Sequence, residues 1–340
     1  MNGGNTPENA DLHPNVTSGK GLYLSWIFMT GLGSGTPAWF NRKWSQRLSS
    51  LRTLPLDSWQ SLPAWIRIGA ALLALLIYSQ SNRLYSFVTH IFISQYRFPY
   101  VVPLSFAQVV VTLLALQTLH AAGCITLLPY SLQLGEWLLV PSICDSIQTV
   151  LALWADVSAP SGLYPLTLHL LPLACVGWTH ALGLTPPPSS HTTFLLAAVT
   201  LTSVTITGTH DFLLADPLVC VYAPLSLLLH SLSLCWLARV GNREAGQKGQ
   251  QVSPFDLYFC LNVNKSLVLG FLCLLHPDAP RMLGEGCWHS LLFLGYLLAM
   301  LLLGSLQRLL LALTALYCTP LAASLLHTAH DLFRSFTSLL

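Results

Sequence analysis

The stretch LYFCLNVNKSLVLGFLCLL, Leu257 to Leu275, is apolar along nearly its whole length yet holds Lys265 near its middle. Asn262 and Asn264 stand just ahead of the lysine. A run of this kind reaches the ~20 apolar residues needed to cross the hydrocarbon of a bilayer. A charge at the bilayer centre costs from about 2.5 to more than 10 kcal/mol. The lysine therefore has two readings. Either it pairs with an acid on a neighbouring helix, Asp145 being the candidate, or it faces a water-filled pathway. The asparagines add amide donors and acceptors close by, which suits a polar, anionic ligand.

Outward from this stretch the texture persists. The chain has 340 residues, 53% hydrophobic and 8% charged, with a mean hydropathy of +0.60. Soluble domains use roughly a quarter charged residues, so this chain could not cover a water-facing surface. Its Leu-rich blocks are unbroken rather than alternating, which excludes a membrane β-barrel and implies helices. The fold class expected is an all-α polytopic membrane protein in a lipid bilayer. The net charge of +2 points to no particular partner, and no nucleic-acid partner or cofactor is expected. The nine cysteines form no Cys-x-x-Cys pair and lie mostly in apolar blocks, so no disulfide framework is expected.

Nine spans are read along the chain: about 64–93, 98–123, 137–154, 163–184, 193–208, 217–237, 255–275, and two within 288–326 broken at Cys318–Pro320. Residues 1–63 are polar, carry no signal peptide and are expected in the cytosol. Within them GLYLSWIFMTGLG is read as an interfacial stretch, with Trp26 and Trp39 as anchors. Arg42, Lys43, Arg47, Arg52 and Arg67 precede the first span, and Arg239, Arg243 and Lys248 follow the sixth. An even number of spans separates the two basic groups, so both face the cytosol.

Other polar residues interrupt the apolar blocks. Asp145 and Arg308 fall within spans, whereas Arg83 falls at the end of the first span and Glu136, Asp156, Asp211, Asp216 and Asp256 at or beside span ends, and these end positions are read as solvated in the interface. His327 and His330 are three residues apart on one helix face with Asp331 adjacent. That cluster raises an outside alternative, an intramembrane metallohydrolase, although no HExxH arrangement accompanies it. His169, His180, His210 and His230 show no ligand spacing.

Six segments in order resemble the nucleotide-sugar and triose-phosphate transporter family of the drug/metabolite transporter superfamily. SNRLY (81–85) is similar to an Asn-Lys element, with Asn82 retained and Arg83 in the lysine's place. RFPYVVPLSFAQ (97–108) resembles the opening of the second span, and LYPLTLHLLPL (163–173) the fourth, with His169 where the family has lysine. THDFLLADPLVCVYAPLS (209–226) resembles the entry to the sixth. DLYFCLNVNKS (256–266) resembles a tyrosine-asparagine motif that contacts nucleotide, which assigns Tyr258, Asn262, Asn264 and Lys265 to the ligand. CTPLAASLLHTAHDL (318–332) resembles the ninth span, where the family ends Gly-x-x-Lys-Asn and this chain has His327, His330 and Asp331.

The resemblance implies two inverted repeats, about 64–210 and 216–340, with a cytosolic loop 238–254 in the second and the family's tenth helix missing. It also implies a ligand near mid-membrane. The function implied is a non-enzymatic antiporter that exchanges a nucleotide sugar, or related phosphorylated solute, for a nucleoside monophosphate. It would work in Golgi or endoplasmic reticulum membrane and as a homodimer. The substitutions at His169, His330 and Asp331 raise the alternative of a non-transporting protein of transporter descent that acts through partners.

Overall fold

The computed structural model describes residues 63–96, 100–158, 163–184, 189–211, 219–246, 252–277, 281–282, 284 and 287–337. The interfacial stretch with Trp26 and Trp39, and the basic residues from Arg42 to Arg52, lie outside the described residues. The chain divides into Met1–Arg47 and Leu48–Leu340, and all described residues belong to the second unit.

That unit is helical, with no strand among the described residues. Its helices are α1 (Ala64–Tyr96), α2 (Val101–Ala121), α3 (Leu132–Trp137), α4 (Leu139–Ser158), α5 (Leu163–Leu168), α6 (Leu171–Ala181), α7 (Ser190–Asp211), α8 (Val219–Gly246), α9 (Pro254–Leu275), α10 (Leu291–Tyr317) and α11 (Pro320–Thr337). Four of them, α2, α8, α9 and α10, are long and apolar enough to cross a membrane, and α4 carries a shorter apolar run, Leu139–Ala155. Large apolar side chains point outward: Leu274 and Leu291 are each 86% exposed and Phe194 73%. This is the surface of a helical protein embedded in a membrane, whose helices have no need to hide leucine.

The fourth expected span is not one helix. The chain turns at His169–Leu170, between α5 and α6, because Pro172 stands in the first turn of α6. Proline has no N–H to bond back into a preceding turn and its ring clashes there. The 11 residues of α6 rise only about 16 Å at 1.5 Å each, well short of the hydrocarbon thickness.

Asp256 also departs from expectation, being buried rather than solvated. Ser253 caps α9, accepting from Phe255 N–H at 3.3 Å, while one Asp256 oxygen accepts the Ser253 N–H at 2.9 Å. Its other oxygen accepts from Leu128 N–H at 2.7 Å. One carboxylate thus completes a capping box and fastens the α2–α3 linker to the start of α9.

Helices from the first half of the chain pack on those of the second, chiefly α4 on α8, α1 on α10 and α2 on α9. Two apolar clusters occupy the ends. Leu116, Leu138, Leu237, Val240, Leu257 and Leu316 form one. Val88, Phe92, Tyr100, Leu104, Phe293 and Met300 form the other. Small residues bring α2 against α10: Gly304 leaves room for the Gln108 amide, and Thr112 donates to Ser305 Oγ at 2.9 Å. Close approach through small and hydroxyl-bearing residues is how helices associate in lipid. The level between the two clusters is where polar side chains gather.

Candidate functional site

Four helices supply that level, each with a face repeating at three to four residues. On α9, Tyr258, Leu261 and Lys265 line a cavity; on α8, His230, Ser233, Leu234 and Leu237 do so. Pro141 and Asp145 come from α4, and Arg308, Leu311 and Ala312 from α10. His230, Lys265 and Arg308 each sit near the middle of their helices. The cavity measures about 40 Å³, room for a few waters at the ~10–15 Å³ that each one needs.

Lys265 is 2% exposed and its ammonium donates to the half-buried Asp145 carboxylate, 20% exposed, so α9 and α4 are joined by an ion pair buried on its lysine side. The ion-pair reading offered by the sequence is the one the geometry shows, and the paired lysine also lines the cavity. Arg308 Nη1 donates to Thr149 Oγ1 at 2.8 Å, a neutral partner one helical turn beyond Asp145. Among the described residues Arg308 has no carboxylate at salt-bridge distance. With His230 counted neutral, the lining holds two cations and one carboxylate. One positive charge is left over.

Two further groups are unsatisfied. Both ring nitrogens of His230 and the hydroxyl of Tyr258 are buried without a hydrogen-bond partner. The Tyr258 hydroxyl lies beside Thr112 and the Asn262 amide but makes no well-formed bond to either. Buried polar atoms are nearly always bonded, and these three belong to residues that line the cavity. His230 also packs against the His327 ring, centroids 5.5 Å apart, and His327 in turn bonds through Nδ1 to the Tyr78 hydroxyl.

The other expected ligand residues fall elsewhere. The Asn264 amide donates to Gly135 O and its oxygen accepts from Tyr130 OH, both at 2.8 Å, so the side chain clamps α3 to α9. Burial, with Cys260 and Glu136 adding, holds the Tyr130 phenol above its usual range and keeps it a donor. Asn262 donates to Tyr258 O at 2.8 Å within its own helix. Asn82 accepts from Gln307 Nε2 at 3.4 Å, Arg83 is exposed on α1, and His169 is buried in the α5–α6 turn. The side chains of His330 and Asp331 lie outside the described residues. No cluster of three or more potential metal ligands occurs among the described residues.

Of the residues assigned to ligand from the sequence, Lys265 and Tyr258 line the cavity; His230 and Arg308, which line it too, were not assigned. The missed signal was periodic: His230, Ser233 and Leu237 repeat at the same spacing as Tyr258, Leu261 and Lys265. Two helices with matching stripes are candidates to face each other.

The class defined by fold and site is a helical, membrane-embedded protein with a small cavity between four helices, mostly apolar in lining but bordered by Lys265, Asp145, Arg308 and His230. Compared with models of known protein families and with curated proteins, the chain matches none.

Proposed function

We propose that this protein is a transporter, not an enzyme, and that it carries an anionic solute through the cavity between α4, α8, α9 and α10. The observation that carries the reading is the left-over positive charge on that cavity, Arg308 beside the Lys265–Asp145 pair. An ionisable group held at mid-membrane has a functional role by default. Its position between helices from the two halves of the chain suits a solute site at a repeat interface.

The motif order gives the finer reading: a nucleotide sugar exchanged for a nucleoside monophosphate across Golgi or endoplasmic reticulum membrane by a homodimer. A solute of that size exceeds the present cavity of about 40 Å³. The reading therefore requires the cavity to widen during transport.

A second reading has its own support. The ion pair and the Asn264 clamp spend polar groups on holding helices together, as a non-transporting membrane protein acting through partners would. A thermal-stability screen of the purified chain separates the two. Candidates are nucleotide sugars, nucleoside monophosphates and sugar phosphates. A ligand at one hundred times its dissociation constant stabilises the folded state by about 2.7 kcal/mol. Selective, saturable stabilisation is the expected result. No stabilisation of a cooperatively melting protein by any of these anions favours the second reading.

A further inference from the structure

The cavity does more than favour anions in general: its charge and donors limit which anion fits. We infer that Arg308, His230 and Tyr258 form a subsite for one singly charged oxyanion group, a phosphodiester or carboxylate rather than a doubly charged phosphate monoester. This rests on the reading above, that the cavity receives an anionic solute.

Lys265 is not the anchor of this subsite. Its ammonium is committed to Asp145, and drawing it toward a ligand would leave the Asp145 carboxylate half-buried and unpaired, which is disfavoured. The guanidinium of Arg308 is different. It has five N–H donors, and the bond to Thr149 uses Nη1 alone. Tyr258 and His230 line the same cavity, and the hydroxyl of one and the ring nitrogens of the other are buried without a partner. Neutral imidazole offers one N–H. A planar guanidinium with a hydroxyl and an imidazole N–H matches the spread lone pairs of an oxyanion.

Charge then selects among oxyanions. Lys265, Arg308 and Asp145 sum to one positive charge, and a singly charged group brings the buried set to neutrality. A doubly charged group leaves a net negative charge in a low-dielectric interior, which is disfavoured. Size agrees, because a cavity of about 40 Å³ holds one such group and not a pair. Within the class implied by the motifs, a nucleotide sugar presents singly charged phosphoryl groups and a nucleoside monophosphate a doubly charged one. The subsite accordingly distinguishes the two partners of an exchange.

The test uses the purified full chain and small probes of matched shape in alkaline buffer. Methanesulfonate is singly charged there and methylphosphonate doubly charged; dimethyl phosphate and acetate represent the two natural sources. The melting temperature is followed against concentration for each. Methanesulfonate should stabilise with a half-saturating concentration about tenfold or more below that of methylphosphonate, the scale of one charge-assisted hydrogen bond. Arg308→Gln should abolish the difference. Preference for dimethyl phosphate or for acetate supports the inference and says which group is taken. Methylphosphonate binding as tightly as methanesulfonate overturns the inference while leaving an anion site in place. Absence of saturable stabilisation by every anion, nucleotide sugars included, overturns both. The central comparison needs no variant, so a variant that fails to fold does not weaken it.

Discussion

At the residue scale the Lys265–Asp145 pair sets the terms. Removing one partner strands a charge in the interior, which costs about 3–5 kcal/mol, whereas replacing both with apolar residues of similar size is often neutral or better. Lys265→Met alone and Asp145→Asn alone should therefore lower the melting temperature sharply, and Lys265→Met with Asp145→Leu should restore it. Additive losses in the double variant, read in the same melting experiment, would mean that the pair is not a unit. Lys265 was legible as a problem from the sequence, because a charge inside an apolar run must have a partner or a pathway. Asn264 was not. Its motif neighbourhood pointed to ligand, but its amide is used twice in clamping Tyr130 and Gly135, and a side chain's partners across 129 residues of chain leave no local trace. His230 escaped for a related reason: a lone histidine in an apolar run reads as core until the facing helix is known.

At the element scale, small residues and caps hold the helices around the cavity in register. A Cβ at Gly304 would run into the Gln108 amide, the far end of a flexible side chain that must swing away, so Gly304→Ala should destabilise by about 1 kcal/mol, the lower end of the cost of overpacking. Unchanged melting of that variant would show that α2 and α10 have slack between them. Ser253→Ala removes the cap of α9 and should cost about 1 kcal/mol, whereas Asp256→Ala also frees the Leu128 N–H and should cost more. Equal losses would place no weight on the linker contact. Helix positions were broadly legible because apolar blocks and prolines are local signals. The break in the fourth span was not read, because a proline inside an apolar run, here Pro172, can also be absorbed as a kink, and the packing of α6 against α8 decides between the two.

At the scale of the whole molecule, charge and packing bear on one topology. Arg67 at the start of α1 acts on Cys318 in the α10–α11 turn, where burial otherwise pushes the thiol up. Leu316, two residues before that turn, lies against Gly241, between Arg239 and Arg243 on α8. Arg239 is also stacked 5.5 Å over the Trp236 ring, the kind of aromatic-basic pairing that marks a membrane interface. The start of α1 and the end of α8 therefore share one end of the unit, as the distribution of Lys and Arg along the sequence required. Single cysteines placed at Ile68 and Asn242 in a cysteine-free background should react with an impermeant maleimide from the same side of sealed vesicles. Labelling from opposite sides would break the topology and with it the repeat assignment.

Counterflow into proteoliposomes shows whether the cavity between α4, α8, α9 and α10 carries a solute across the membrane. Purified protein is reconstituted into vesicles preloaded with unlabelled nucleotide sugar or nucleoside monophosphate, and uptake of the labelled counterpart is measured. The expected result is uptake that depends on the preloaded solute and is lost in Arg308→Gln protein that still melts cooperatively. Uptake no faster than in protein-free vesicles for every anion tried, from folded wild-type protein, would contradict the account.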